Sequence, residues 1–175
     1  MGHPVLRKAA EAVPVSQITS PEIQALMEDM ADTMFEYDGR GLAAPQIHES
    51  LQIVCMVWDF DKDKDSYVTF LVNPRLKALT EAASSYWEGC LSVPGLRGLV
   101  PRPNRISVEC FNQRGEAKAF IAEGFAATVI QHECDHLLGK LYTDRMDDMT
   151  KLVFNHEYQK FHADAASDDE ESGNE

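Results

Sequence analysis

The sequence has few basic residues, no long apolar run and no closely paired cysteines. Lysine and arginine number 16 against 29 aspartates and glutamates, so the formal net charge of the 175-residue chain is −13. Phosphate backbones and anionic lipid surfaces repel such a chain, and we therefore expect neither nucleic acid nor a membrane as a direct partner. No stretch approaches the roughly 20 apolar residues of a transmembrane helix.

The four cysteines are too far apart to form a CxxC pair, which argues against a zinc ribbon or a thioredoxin-like redox site. They are Cys55, Cys90, Cys110 and Cys134. The first eight residues lack the apolar segment of a signal peptide. We expect a cytoplasmic protein whose cysteines are core residues or metal ligands rather than disulfides.

The composition favours one domain followed by a short tail. Hydrophobic residues make up 44% of the chain, which is enough to bury one core. We assign residues 1–163 to a single domain. Residues 164–175 are rich in aspartate and glutamate and have almost nothing to bury, so we expect a disordered, solvated tail.

Hydrophobic periodicity and turn residues predict helices at both ends of the domain and strands between them. Ser20 and Pro21 begin the first helix, and Asp38 with Gly39 ends it. The other predicted elements are strands at 51–58, 67–73, 106–111 and 117–122, an exposed charged loop at 59–66, a buried helix at 124–138 and a surface helix at 146–162. Because strands and helices do not alternate, the fold class is α+β with antiparallel β-sheets around the buried helix.

The buried helix carries the sequence QHECDH at 131–136. Residues four apart lie on one face of a helix, so His132 and His136 can direct both imidazoles at one metal ion. Glu133 is placed to reach a water on that ion and to act as a general base, as in the HExxH arrangement. The alternative interpretation is a pair of core histidines with ordinary hydrogen bonds, since this pattern alone is only moderately specific.

A catalytic metal site of this kind needs three protein ligands and one open position. A metallopeptidase would take the third ligand downstream, where His156 and Glu157 are available. We favour Cys90, which lies in the stretch EGCLS at 88–92 and in a predicted glycine-containing loop. A thiolate there would stabilise the ion, and a loop is a poor position for a core cysteine.

A third stretch, GRGLAAPQ at 39–46, has little side-chain bulk. Small residues allow another backbone or a substrate to lie against the chain. Gln46 ends the stretch with an amide that can donate hydrogen bonds. The alternative is an ordinary glycine-rich turn; a phosphate-binding loop is excluded because the lysine and hydroxyl residue of that motif are missing.

Together, GRGLAAPQ, EGCLS and QHECDH resemble the three signature motifs of the peptide deformylase family, GxGLAAxQ, EGCLS and QHExDH, in the same order. The resemblance extends from about residue 2 to about residue 146. It implies an enzyme that hydrolyses the N-formyl group from the initiator methionine of newly made polypeptides and releases formate. The implied partners are N-formyl-methionine nascent peptides, and we expect a monomer.

The resemblance further implies that Cys90, His132 and His136 bind one divalent metal ion, with water as the fourth ligand. The central HExxH helix is then a metal-binding helix. Fe²⁺ is the usual ion of this family, and Zn²⁺, Ni²⁺ or Co²⁺ can take its place. The residue types do not choose among them, since a Cys/His/His set suits zinc equally well.

The same resemblance implies the catalytic roles. Glu133 takes a proton from the water that the metal acidifies and later delivers it to the leaving amine. The Gln46 side-chain amide and the Leu91 backbone N–H stabilise the oxyanion. The nascent peptide lies extended between the Gly41 and Glu88 segments. The residues expected to hold the substrate are Gly41, Leu42, Glu88, Gly89, Phe125 and Val129, with Leu91 also lining the methionine pocket.

Two further expectations concern charged residues. We expect Glu88, Gln131 and Asp135 to orient ligands or loops, with Arg102 as a charged partner for one of them. Arg40 departs from the family pattern, which has a small aliphatic residue there near the mouth of the pocket. Arg40 either alters the substrate preference or points to solvent, and we expect the second.

Overall fold

The computed structural model of the protein describes residues 1–57, 68–80 and 83–163. The predicted charged loop at 59–66 and the predicted acidic tail at 164–175 lie outside the described residues, as do Trp58 and Tyr67 at the ends of two predicted strands. Among the described residues, no helix is both long and apolar enough to cross a membrane.

Within the described ranges the chain forms three α-helices, eight β-strands and short 3-10 turns. In chain order they are α1 (Pro21–Glu36), β1 (Gly41–Ala43), β2 (Ile53–Met56), β3 (Thr69–Ala78), β4 (Ala83–Cys90), β5 (Val93–Pro103), β6 (Arg105–Phe111), β7 (Ala117–Glu123), α2 (Gly124–Leu137), β8 (Leu152–Phe154) and α3 (Asn155–Phe161). The α+β class with antiparallel sheets is therefore confirmed.

Helix α1 begins where the capping pattern predicted. The Ser20 hydroxyl accepts a hydrogen bond from the Ile23 backbone N–H at 3.4 Å, and Pro21 occupies the first helical position. The buried face consists of Met27, Met30 and Met34. Because successive side chains of a strand alternate between faces, Ile53 and Cys55 of β2 pack toward this helix, whereas Val54 and Met56 pack beneath α2.

The strands form two antiparallel sheets. The larger sheet has the order β1-β2-β3-β6-β7, and the smaller has the order β4-β5-β8. Strand β1 is therefore an edge strand of one sheet, and β4 is an edge strand of the other. Each edge leaves backbone N–H and C=O groups that no described strand pairs.

The structure corrects the prediction that EGCLS and GRGLAAPQ lie in loops. Cys90 is the last residue of β4 and pairs with Val93 across a two-residue turn. Strand β5 was missed because prolines and glycines normally argue against a strand; they are Pro94, Gly95, Gly98, Pro101 and Pro103. In the second motif, residues 41–43 form β1 and Ala44–Ile47 forms a 3-10 turn.

The predicted surface helix at 146–162 is wrong in its first part. Met149–Lys151 is a 3-10 turn, and Leu152–Phe154 forms β8, so α3 begins only at Asn155. Strand β8 pairs with β5, in the register Val153 to Arg97. Because residues 152–154 pair with β5, they form a strand, although their local sequence pattern predicts a helix.

The predicted buried helix at 124–138 is confirmed as α2. It contacts strands of both sheets, which explains why its residues are buried on nearly every side. The helix ends at Gly139, whose φ of +70° is a conformation that favours glycine. A Cβ atom there would lie 2.7 Å from the backbone carbon of Arg7, so the chain also passes too closely for a side chain.

Candidate active site

Helix α2 and the end of β4 bring together the three residues that were predicted as metal ligands. The imidazole rings of His132 and His136 lie one turn apart, with centroids 5.2 Å from each other. The Cys90 Sγ lies 3.3 Å from the Nε2 of His136. One potential ligand atom from each residue lies within 4.8 Å of the other two. Their role as ligands stays a prediction, but their spacing suits one shared ion.

The alternative third ligands lie elsewhere. His156 and Glu157 are on α3, where the His156 side chain is 64% exposed and its Nε2 lies 3.1 Å from Glu157. Of the His, Cys, Asp and Glu residues in the described ranges, only Cys90, His132 and His136 form a group compact enough for one ion. The geometry therefore gives no support to a downstream ligand.

The chemistry of the three donors fits a divalent metal. One thiolate with two imidazoles is a common donor set for zinc and related ions. Burial lowers the pKa of His136 to about 3, which keeps this ring in the neutral form that binds metals. The Nδ1 of His136 is buried and has no hydrogen-bond partner among the described residues.

Glu88 holds the other side of the His132 ring. Its Oε2 lies 2.6 Å from His132 Nδ1. Because this contact uses Nδ1, the His132 nitrogen that is available to a metal ion is Nε2. The Arg102 guanidinium also binds Glu88, with Nη2 3.0 Å from Oε2. Burial raises the pKa of Glu88, but the hydrogen bonds to His132 and Arg102 outweigh it and hold the pKa below its ordinary value. Glu88 is thus a carboxylate that fixes the orientation of His132.

The charged contacts continue from Glu88 toward the surface. Arg102 donates a second time, from Nη1 to the Asp135 carboxylate at 2.9 Å, and both side chains are about 95% buried. Asp135 also accepts from Arg145, whose side chain is 38% exposed. The predicted pairing of Arg102 is confirmed, with two partners rather than one. Arg145 was missed, because its contact depends on the chain reversal after Gly139.

Gln131 takes no part in this charged chain. Its amide donates to the backbone oxygens of Pro103 and Ala127, both at 2.9 Å. It therefore ties α2 to the end of β5, which agrees with the expectation that Gln131 orients structure near the site.

Glu133 lies beside the cluster and is 5% exposed. Burial raises the pKa of its carboxyl to about 7. Its Oε2 has no hydrogen-bond partner in the described part of the chain. On the other side, β1 passes so closely that a Cβ atom at Gly41 would lie 2.7 Å from Oε1. The carboxylate is therefore confined, and its free oxygen can accept a proton.

Gln46 is held in one amide orientation. Its Oε1 accepts from the Ala43 backbone N–H at 2.8 Å, so Nε2 must face the other way. There Nε2 donates to Cys90 Sγ at 3.7 Å and to the Ser92 hydroxyl at 3.2 Å. Leu91 and Ser92 form the turn between β4 and β5. The contact of Ser92 with Gln46 was not predicted.

An open groove of about 830 Å³ lies above these residues. All six residues predicted to hold the substrate line it, together with Gln46, Leu91 and Glu133. Sequence analysis missed Trp87 and Asn155, which also line the groove. Helix α3 supports this wall, since the ring centroids of Trp87 and Tyr158 lie 5.3 Å apart.

A compact Cys/His/His group beside a buried carboxylate, on the floor of an open groove, is typical of a hydrolase with a single metal ion. Residues 1–152 match the family model for polypeptide deformylase. The chain belongs to the polypeptide deformylase family.

Individual relatives agree with this assignment. The chain is 48% identical over 161 residues to peptide deformylase 2 of Ralstonia nicotianae, covering 88% of each chain. Its fold is similar to a class I type b peptide deformylase from Acinetobacter baumannii, solved with Met-Ala-Ser bound, at a TM-score of 0.77, 31% identity, and coverage of 83% of this chain and 94% of the other. It is also similar to a peptide deformylase from Synechococcus elongatus in complex with actinonin, with a TM-score of 0.76, 32% identity, and coverage of 94% and 86%.

Proposed function

We propose that residues 1–163 form one catalytic domain that removes the N-formyl group from the amino-terminal methionine of newly made polypeptides, with one divalent metal ion, most commonly Fe²⁺ in this family. The observation that carries the proposal is the position of Glu133 beside the Cys90, His132 and His136 group at the floor of the groove. Family membership supports the same reaction.

Cys90, His132 and His136 would hold the metal, and Glu88 would keep the His132 ring in place through its 2.6 Å hydrogen bond. A divalent ion bound there supplies a Lewis acid that makes a water molecule nucleophilic near neutral pH. Fe²⁺, Zn²⁺, Ni²⁺ and Co²⁺ all accept these donors, so the choice of ion is a matter for measurement.

Glu133 has the properties of a general base. A carboxyl group with a pKa near 7 takes and gives protons efficiently at neutral pH. Glu133 would accept a proton from the attacking water as a C–O bond forms to the formyl carbon. It would then deliver that proton to the nitrogen as the C–N bond breaks, which yields formate and a free amino terminus.

The oxyanion that develops on the formyl oxygen needs donors that are already oriented. The Gln46 amide meets this requirement because Ala43 fixes its rotation, which directs Nε2 into the site. The backbone N–H of Leu91 in the turn after β4 would be the second donor. Both groups cost little reorganisation during the reaction because the fold already sets their positions.

The groove has the form of a site for an extended peptide. Its two walls include β1 and β4, which are edge strands of different sheets, so a peptide can add as a strand between them. Gly41 with Leu42, and Glu88 with Gly89, would supply the backbone contacts. Phe125 and Val129 line the groove from α2 and, with Leu91, would contact the methionine side chain. The Acinetobacter relative was solved with Met-Ala-Ser bound, which supports a ligand that begins with methionine.

The test is release of formate from formyl-Met-Ala-Ser by protein loaded anaerobically with Fe²⁺, compared with a Glu133→Gln variant that carries the same amount of metal. We expect rapid release by the wild type and a rate about 10²–10⁴-fold lower for the variant, the usual contribution of a general base. Absence of release from metal-loaded, folded wild-type protein would instead indicate a binding protein that retains the fold.

A second comparison separates this proposal from a metallopeptidase. Cys90→Ser should lose most of its metal after dialysis, whereas His156→Ala should keep it, as measured by elemental analysis. If Cys90→Ser keeps its metal and His156→Ala loses it, the third ligand is His156 of α3 rather than Cys90.

A further inference from the structure

Arg40 lines the groove but contributes nothing to the chemistry described above. It directly precedes β1, and its backbone oxygen accepts a hydrogen bond from Val57 N–H at 3.0 Å, which anchors the backbone to the end of β2. Arg40 is exposed, as expected, and is also one of the residues that line the groove. No acidic side chain of the described residues lies within ion-pair distance of it.

The other charges of the groove leave the Arg40 charge largely uncompensated. Glu88 and Glu133 are buried at the floor, and Glu88 is already paired with Arg102. Asp38 is the exposed acid of the lining. On the opposite wall Arg97 adds a second guanidinium, which is fixed above the Tyr158 ring at 4.9 Å from its centroid. Apart from the two buried carboxyl groups, the charged residues of the described lining are therefore two arginines and Asp38.

The positions along β1 indicate where a bound peptide meets Arg40. The reacting centre lies between Gly41, which touches Glu133, and Gln46, which touches Cys90. An extended peptide that adds to the edge of β1 with its formyl group at this centre would pass Gly41 and reach Arg40, the lining residue that directly precedes β1. At about 3.3 Å per extended residue, the second or third residue of the peptide lies beside Arg40.

We propose that Arg40 is a specificity residue that favours nascent peptides with an aspartate or glutamate at the second or third position. The inference rests on the proposed deformylase function and names a substrate class within it. An ion pair at a partly exposed site is worth about a two- to fivefold preference. The effect should appear mainly in KM, since Arg40 is remote from the reacting atoms, and it should weaken in high salt.

The experiment uses Fe²⁺-loaded protein and C-terminally amidated peptides, which remove the terminal carboxylate as a competing anion. The kcat/KM ratio is measured for formyl-Met-Glu-Ala against formyl-Met-Gln-Ala, and for formyl-Met-Ala-Glu against formyl-Met-Ala-Gln. Wild type should prefer the glutamate peptide of at least one pair about two- to fivefold. Arg40→Gln should bring that ratio to about one, and Arg40→Glu should bring it below one.

Arg97→Gln is the comparison variant, because it removes the other guanidinium of the groove, and it should lower the ratio less than Arg40→Gln does. A ratio that Arg40→Gln leaves unchanged, or that only Arg97→Gln abolishes, overturns the proposal. Binding of the deformylated peptide pairs Met-Glu-Ala with Met-Gln-Ala and Met-Ala-Glu with Met-Ala-Gln, again with amidated C-termini, is measured by calorimetry and needs no turnover. If no formyl peptide is hydrolysed, the deformylase function fails, and the calorimetric ratio in wild type and Arg40→Gln still decides the role of Arg40.

Discussion

The charged residues of the inner wall of the groove are buried and hydrogen-bonded to one another, whereas those of its outer rim are at least partly exposed. The inner wall consists of the charged residues His132, Glu88, Arg102 and Asp135. His132 and Glu88 line the groove, Arg102 and Asp135 lie behind them, and all four are buried and joined by hydrogen bonds of 2.5 to 3.0 Å. The outer rim consists of Arg40, Arg97, Trp87 and Asn155 around the opening. Neither arginine of the rim has an acidic partner among the described residues.

The inner wall and the outer rim can therefore have different roles. A buried charge is tolerated only with its partners in place, so a single change in the inner wall leaves another charge without compensation. A charge at the rim is solvated and can change at little cost to folding. We infer that the inner wall fixes the reaction and that the rim is where substrate preference can vary.

Arg102→Met should produce the largest loss of stability. It leaves the Glu88 and Asp135 carboxylates buried without their shared guanidinium, which typically costs about 3–5 kcal/mol in the free energy of unfolding. Arg105→Met is the matched control, since Arg105 pairs with Glu123 and both side chains are about half exposed. The control should lose no more than about 1 kcal/mol. Equal losses in urea denaturation would contradict the distinction between buried and exposed charged pairs.

Gln46→Leu should produce a large loss of rate with little change in stability. Removing one oxyanion donor typically lowers kcat by about 10²–10³. Ser92→Ala removes only an acceptor of the Gln46 amide, so its effect on kcat should be clearly smaller. Steady-state kinetics on a formyl-methionine peptide measures both. A kcat for Gln46→Leu close to that of the wild type would remove Gln46 from the reaction.

Gly41→Ala should displace the Glu133 carboxylate without changing that side chain itself. The added Cβ would lie 2.7 Å from the Glu133 Oε1, so the carboxylate must move, and a shift of about 1 Å can cost up to about 10²-fold in rate. At Gly89, on the other edge strand, the added Cβ would meet only the Arg97 side chain at 3.7 Å. Gly89→Ala should therefore retain more of kcat than Gly41→Ala, and the reverse order would exclude this explanation.

Arg145→Gln should produce the smallest effect of the series. Arg145 binds the same Asp135 carboxylate as Arg102, but its own side chain is 38% exposed and Asp135 keeps its buried partner. The expected loss in the free energy of unfolding is about 1 kcal/mol. A loss as large as that of Arg102→Met would show that the charged contacts act as one unit out to the surface.

The parts of the site that depend on local geometry were predictable from the sequence. His132 and His136 share a helix face because of their spacing, and Ser20 begins α1 through contacts within one turn. Neither prediction requires knowledge of distant residues. Cys90 was favoured as the third ligand on the premise of a glycine-containing loop, which is wrong because Cys90 ends β4. The resemblance of the three motifs then implied the same residue, since nothing local joins residues 46 apart.

The parts that depend on pairing between distant segments were not predictable. Strand β5 contains three prolines and two glycines, and only its pairing with β4 and β8 makes it a strand. The same pairing shortens the last helix to Asn155–Phe161. Arg145 reaches Asp135 through the turn that follows α2, which the helical pattern does not encode.

X-ray absorption spectroscopy of the Fe²⁺-loaded protein tests the central claim most directly, because it reads the ligands of the metal without depending on activity. We predict one sulfur scatterer and two imidazole nitrogens among the ligands of the metal. Cys90→Ser should lose the sulfur scatterer. A spectrum without sulfur in the wild type, or one that Cys90→Ser leaves unchanged, would contradict the proposed site.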